Sequence, residues 1–239
     1  MSTAHTSPRN GSRVTRPSRV TWADFWIAAA GTVALYAVGI ALYRLIPDDA
    51  GLSRGLALYA VSGLAPLGGT LIAIALRRRD RGLFGLRGVA PEWLLIGFAI
   101  GLGVVALNIG ISSIVAAATP AQDVQTDYRS AATSGVLGFL GTILLGAVLT
   151  PIGEEFFFRG VVYNLLARYG AWIATLLSAL VFALTHGVNL TTPVAFIVGV
   201  SAALLVRRTG SVWPGVVVHA VNNASSSVIS VIALQVTTT

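Results

Sequence analysis

The chain has no cysteine and no lysine, and only nine acidic residues among its 239. The first absence excludes thiolate catalysis, cysteine metal sites and disulfides. The second leaves arginine as the only strong cation, sixteen in all. Charged residues make up 10% of the chain, against about 25% in soluble domains, which excludes an ordinary soluble domain. The H-E-x-x-H helix of zinc proteases is also missing. No internal repeat is visible, which disfavours an inverted-repeat transporter. What is abundant is apolar: 55% hydrophobic residues and a mean hydropathy of +0.79. The composition points to an all-α, polytopic transmembrane helical bundle in the cell membrane. The formal charge of +7 raises the question of nucleic acid. The arginines fall between apolar stretches, however, which is the placement that sets membrane topology. No nucleic-acid partner is expected, and the lipid bilayer is.

Residues 1–20 are polar and rich in Ser, Thr, Pro and Arg, and read as a disordered cytoplasmic tail. Residues 21–239 read as a single transmembrane bundle. Seven apolar stretches suit a hydrocarbon layer of about 30 Å, with six to eight as the bracket. They run over 24–46, 55–76, 92–118, 134–157, 171–187, 193–206 and 212–234. The first is read as an uncleaved span. The sixth is short and reads as tilted or partly re-entrant. With the N-terminus in the cytoplasm, alternation puts thirteen arginines inside: Arg9, Arg13, Arg16, Arg19, Arg77, Arg78, Arg79, Arg81, Arg87, Arg159, Arg168, Arg207 and Arg208. Three fall outside: Arg44, Arg54 and Arg129. The asymmetry has the sign of the positive-inside rule. Arg77 to Arg81 read as a topology anchor. Residues 119–133 read as an outer loop or an interfacial helix.

Against this apolar background the second half of the chain holds four polar points. Glu154, Glu155 and Arg159 lie in GEEFFFRG at the end of the fourth stretch. His186 ends the fifth, in FALTHG. His219 lies in the seventh, in VVVHAVNN, and Asn222 and Asn223 follow one turn later. A carboxylate in a membrane segment costs about 2.5 kcal/mol or more, so two in succession mark a functional site. Glu155 and Arg159 are four apart and can pair on one helix face. Glu154 points about 100° away. His219 and Asn223 share one face, and Phe182 lies one turn below His186. Taken singly, Glu155 with Arg159 reads as a structural ion pair, and His219 with Asn223 as interhelical glue. Taken jointly, one carboxylate, two imidazoles and an amide can hydrolyse a peptide bond. The carboxylate takes a proton from water, and the other groups hold the water and stabilise the oxyanion. A metal ion held by Glu154, His186 and His219 is the alternative, and spacing does not separate the two.

In this order the motifs EEFFFR (Glu154 to Arg159), FALTH (Phe182 to His186) and HAVNN (His219 to Asn223) resemble the CAAX protease and bacteriocin-processing family of intramembrane proteases. The resemblance covers roughly 134–234. It implies an endopeptidase acting on a membrane-associated protein or peptide. It implies Glu154 as the base, His186 as the group that positions water or a metal, and His219 with Asn223 as the oxyanion pair. Glu155 and Arg159 are implied as supporting residues, and Asn222 is a second amide within reach of His219. The family is commonly described as metalloprotease, and a metal-free glutamate mechanism has also been argued. The expectation is the glutamate mechanism, with no certain cofactor and a divalent ion such as zinc as the alternative. The arginine-rich, alanine-rich composition suits a bacterial protein. A transporter with a Glu/His proton relay and a non-catalytic membrane scaffold are the competing readings. This parse leaves one conflict: it puts Glu154 near the inner face and His186 at the outer one.

Overall fold

The computed structural model describes residues 19–118, 126–189 and 191–238; the tail expected to be disordered and His5 lie outside them, apart from Arg19 and Val20. The architecture is helical throughout the described residues. The helices are α1 (Trp22–Tyr43), α2 (Gly51–Leu76), α3 (Pro91–Ala118) and α4 (Thr126–Thr133), then α5 (Gly135–Tyr169), α6 (Ala171–Thr185), α7 (Thr192–Thr209) and α8 (Trp213–Thr238). A 3-10 turn, Arg81–Phe84, joins α2 to α3. Six of these helices are long and apolar enough to cross a membrane. α6 has 15 residues and is shorter than a full span.

α1 begins at a capping box. The Thr21 hydroxyl accepts from the Asp24 amide, and the Asp24 carboxylate accepts from the Thr21 amide at 2.8 Å. The helix is apolar all round, which suits a span whose outward residues meet lipid. Trp26, Val33, Val38 and Leu42 are all exposed. Its inner edge packs on α2, where a Cβ on Gly69 would lie 2.2 Å from Thr32 Oγ1. The small residue is what allows this approach.

Two expectations about the second half are corrected. The fourth span does not end at residue 157. α5 runs on to Tyr169, about 50 Å at 1.5 Å per residue, because nothing after Phe156 breaks a helix before Gly170. Arg159, expected in an inner loop, is therefore fully buried inside the bundle. Gly170 then reverses the chain with φ +125°, a conformation that favours glycine. Glu154 lies fifteen residues before Tyr169, and His186 sixteen after Gly170. A hairpin at Gly170 returns His186 toward the level of Glu154, which removes the conflict.

The remaining arginines sort by end. At one end Arg79 pairs with Asp24, Arg87 donates to the Gly210 carbonyl at 2.9 Å, and Arg168 donates to the Val20 carbonyl at 2.5 Å. Arg207 lies over the Trp172 ring at 4.9 Å. At the other end Arg54 bridges Asp48 and Asp127 at 2.5 and 3.4 Å. Arg79 is more than a topology anchor. It is buried, and Asp24, bonded to it, raises its pKa above the ordinary arginine value. Of the expected loop 119–133, residues 126–133 form α4, and 119–125 lie outside the described residues.

Candidate active site

α5 is not a uniform α-helix. Two stretches, Ile143–Leu149 and Phe156–Tyr163, follow the wider π register, a form found often at functional sites. A physical cause is visible in the first. A π register pairs each carbonyl with the amide five residues on, and five after Gly146 stands Pro151, which has no N–H. The freed Gly146 carbonyl accepts instead from Asn223 Nδ2 of α8 at 2.9 Å. In the second, Asn164 Nδ2 donates back to the carbonyls of Arg159 and Gly160 at 3.0 and 3.1 Å. Glu154 and Glu155 sit on the short α turn between the two. The turn is pressed on α2, since a Cβ on Gly153 would fall 1.9 Å from the Gly63 carbonyl, halfway along that helix.

The two glutamates face different neighbours, as their helical offset predicts. Glu155 is fully buried, and its Oε2 lies 3.1 Å from Nε of Arg159, also fully buried. The contact is short, yet Arg159 Nε, Nη1 and Nη2 and Glu155 Oε2 make no well-directed hydrogen bond. The pair is held by charge more than by hydrogen-bond geometry. Gly215 of α8 makes room for it: a Cβ there would lie 3.1 Å from Glu155 Oε2. Glu155 Oε1 lies 3.3 Å from Nδ1 of His219. The other ring nitrogen, Nε2, lies 3.8 Å from Glu154 Oε2. Arg159, Glu155, His219 and Glu154 thus form one file through the bundle. Glu154 Oε2 ends it, buried and without a hydrogen bond.

Phe182 of α6 is the hub that the sequence reading saw only as a ring below a histidine. Its ring lies 4.8 Å from that of His186, 5.4 Å from His219 and 5.0 Å from Phe158. The Arg159 guanidinium stands 4.6 Å above it, within cation–π range. His186 is half-buried, and its Nδ1 lies 3.0 Å from the Phe182 carbonyl. A carbonyl can only accept, so Nδ1 donates and Nε2 of the neutral ring is left as an acceptor. Asn222 and Asn223 are half-buried. Asn222 donates to Asn223 Oδ1 at 3.3 Å, and its own Oδ1 has no partner.

All seven residues singled out in the sequence thus lie on α5 and α8 or cap the end of α6, and five of them, Glu154, Glu155, Arg159, His186 and His219, are linked by contacts around Phe182 and the file of charges. Asn223 is held instead at the Gly146 carbonyl, with Asn222 bonded to it. The donor set for a metal is less complete. Glu154 and His219 are neighbours, but His186 meets the Phe182 ring, with no contact to either. Among the described residues no three His, Asp or Glu side chains converge closely enough to hold an ion. The triad Glu154, His186 and His219 does not fit a metal in this arrangement.

Comparison with protein families matches the segment that builds this site. Residues 136–225 match the family described as type II CAAX prenyl endopeptidase Rce1-like. No curated protein and no solved structure matches the chain.

Proposed function

We propose that this multi-pass membrane protein, Rce1-like over residues 136–225, is an intramembrane endopeptidase that uses Glu154 as its base. The match supports a CAAX-type membrane protease in general. The observation that carries the reading is the end of the file of charges. Glu154 Oε2 is buried without a hydrogen bond, 3.8 Å from an imidazole nitrogen. A carboxylate left so in a low-dielectric interior is a strong acceptor for a water proton.

In this reading a water bridges Glu154 and the acceptor Nε2 of His186. Glu154 takes one proton as the water oxygen bonds to the scissile carbonyl carbon. The oxyanion meets His219 and Asn223. The imidazolium form of His219 donates at both nitrogens at once, to Glu155 and to the oxyanion. Glu155, balanced by Arg159, fixes the orientation of that ring. The C–N bond then breaks, and Glu154 returns its proton to the leaving amine. The substrate is a membrane-associated protein or peptide, with the arginine belt on the cytoplasmic side and the N-terminus with it.

The test is cleavage of a quenched fluorogenic peptide library, prenylated peptides included, by purified protein in liposomes, with wild type beside Glu154→Gln. Cleavage by wild type alone is expected, and unchanged in a chelator. Equal cleavage by both proteins would remove Glu154 from the reaction. Loss in chelator would restore the metal alternative.

A further inference from the structure

Helix α8 turns polar just past His219. Between residues 222 and 230 stand Asn222, Asn223, Ser225, Ser226, Ser227 and Ser230. Polar residues inside a span face protein or a watery cavity, not lipid. Val228 and Ile229 take the outward side, with 43% and 44% exposure. On the inward side Ser226, Ser227 and Ser230 line a cavity of about 30 Å³ with Tyr59 of α2 and Tyr128 and Arg129 of α4. One water needs about 10–15 Å³ of such space and two to four polar partners, so there is room for about two.

The partners are there. Each serine hydroxyl spends its proton on its own helix: Ser226 donates to the Asn222 carbonyl at 3.0 Å, Ser227 to Asn223 at 3.0 Å and Ser230 to Ser226 at 2.9 Å. Their lone pairs remain to accept. The tyrosines supply donors, their rings 4.6 Å apart. Burial first, and the Glu154 charge second, push the Tyr128 hydroxyl up to about 12, so it keeps its proton at neutral pH. The same groups lead toward the site. Tyr59 packs at Gly146, whose carbonyl holds the Asn223 side chain, and Ser227 donates to the Asn223 backbone carbonyl one turn along α8. The cavity lies toward the Asp127 and Arg54 end, away from the arginine belt.

We propose that this cavity is a water-binding antechamber that supplies hydrolytic water to Glu154 from the end of the bundle opposite the arginine belt. The antechamber stands on the geometry of α2, α4 and α8; its supply role rests on the protease reading. An apolar substrate segment entering between helices would then leave the water path open.

The absence of cysteine makes the test direct. Single cysteines are placed at Ser226 and Ser230, at the outward Ile229, and at Asp49 and Arg81 as markers of the two ends. Each variant in sealed vesicles meets a membrane-impermeant cationic thiosulfonate. Ser226→Cys and Ser230→Cys are expected to react about tenfold faster than Ile229→Cys, from the side that labels Asp49→Cys. Rates no faster than Ile229→Cys, or reaction only from the side that labels Arg81→Cys, overturn the antechamber. The kinetic arm is Ser230→Leu, which fills the cavity. Its kcat is expected to fall about fivefold with KM unchanged, in a protein that still elutes as a folded species. An unchanged kcat overturns the supply role. Labelling as expected with no cleavage by any variant sustains the antechamber and removes the protease reading instead.

Discussion

Asp24 with Arg79 and Glu155 with Arg159 are both buried acid–arginine pairs, and they are built differently. Asp24, at the arginine-belt end of α1, is fully buried and saturated. Its carboxylate accepts from the Thr21 amide and hydroxyl at 2.8 and 2.6 Å, from Arg79 at 2.9 and 2.5 Å and from Arg77 at 3.3 Å. Glu155 and Arg159, mid-bundle, approach to 3.1 Å with Glu155 Oε2 and three guanidinium nitrogens lacking a directed hydrogen bond. A buried charge whose bonds are all met is a clamp, since moving it loses every one of them. A buried charge with bonds unmet is held in place by packing and stays responsive to what enters. The first half of the chain carries the clamp, and the segment matched by the family carries the responsive set.

The comparison breaks most sharply at Glu154. Glu154→Gln keeps the shape and removes the base, so cleavage falls by about a thousandfold, within the range of general-base catalysis. Thermal stability stays level or rises, because Glu154 Oε2 loses no bond. Activity and melting measured on the same preparation check both halves. A large loss of stability would put Glu154 in the clamp class.

The converse holds at the other pair. Asp24→Asn leaves Arg79 buried without its counter-charge, and stability drops by about 3 kcal/mol, as when one partner of a buried pair is removed. Chemical unfolding in mixed micelles reads this. The folded fraction keeps its kcat, because Asp24 has no contact with the α5–α6–α8 site. A selective loss of kcat with stability intact would show coupling between the two pairs.

The two amides sharpen the contrast within the site. Asn223→Ala removes a proposed oxyanion donor and strips the Gly146 carbonyl of its partner. A loss of about a hundredfold in kcat is expected, the size found for a single oxyanion donor. Asn222→Ala changes kcat by about twofold or less, since the hydrogen bond of its side chain is the long 3.3 Å one to Asn223. The reverse order would hand the role to Asn222, the ambiguity that helical spacing left open.

Much of this was readable from sequence because membrane burial makes charge rare. Glu154, Glu155, Arg159, His186 and His219 stood out against apolar neighbours, and the four-residue spacing of Glu155 and Arg159 gave their pairing. Span existence was readable for the same reason. What was hidden depended on geometry without a composition signal. The end of α5 was misplaced because the charge of Arg159 imitates the start of a loop, while Arg159 is in fact neutralised by Glu155 inside the bundle. Arg79 looked like one more anchor because its partner Asp24 is 55 positions away. The two π stretches left only Pro151 as a hint. Phe182 was noticed for its spacing to His186, but its contacts with Arg159 and His219 needed three helices to be assembled.

Phe182 gives a smaller loss than Asn223 and the most specific one. The unmet hydrogen bonds of Arg159 are partly offset by the aromatic face 4.6 Å away, an interaction worth about 0.5–2 kcal/mol. Phe182→Leu keeps apolar volume and loses that face. Arg159 then draws toward Glu155, and Glu155 loosens its hold on His219 Nδ1. A shift of the imidazole by a fraction of an ångström is expected to lower kcat about tenfold with little change in KM, because the Phe182 ring positions His186 and His219 and has no polar group to offer the substrate. Phe182→Tyr retains the face and is expected to recover most of the rate. If Leu and Tyr perform alike, the ring is filler and the responsive pair is held by charge alone. If only Tyr rescues, the aromatic face is what lets this bundle keep an incompletely bonded arginine beside its catalytic carboxylate.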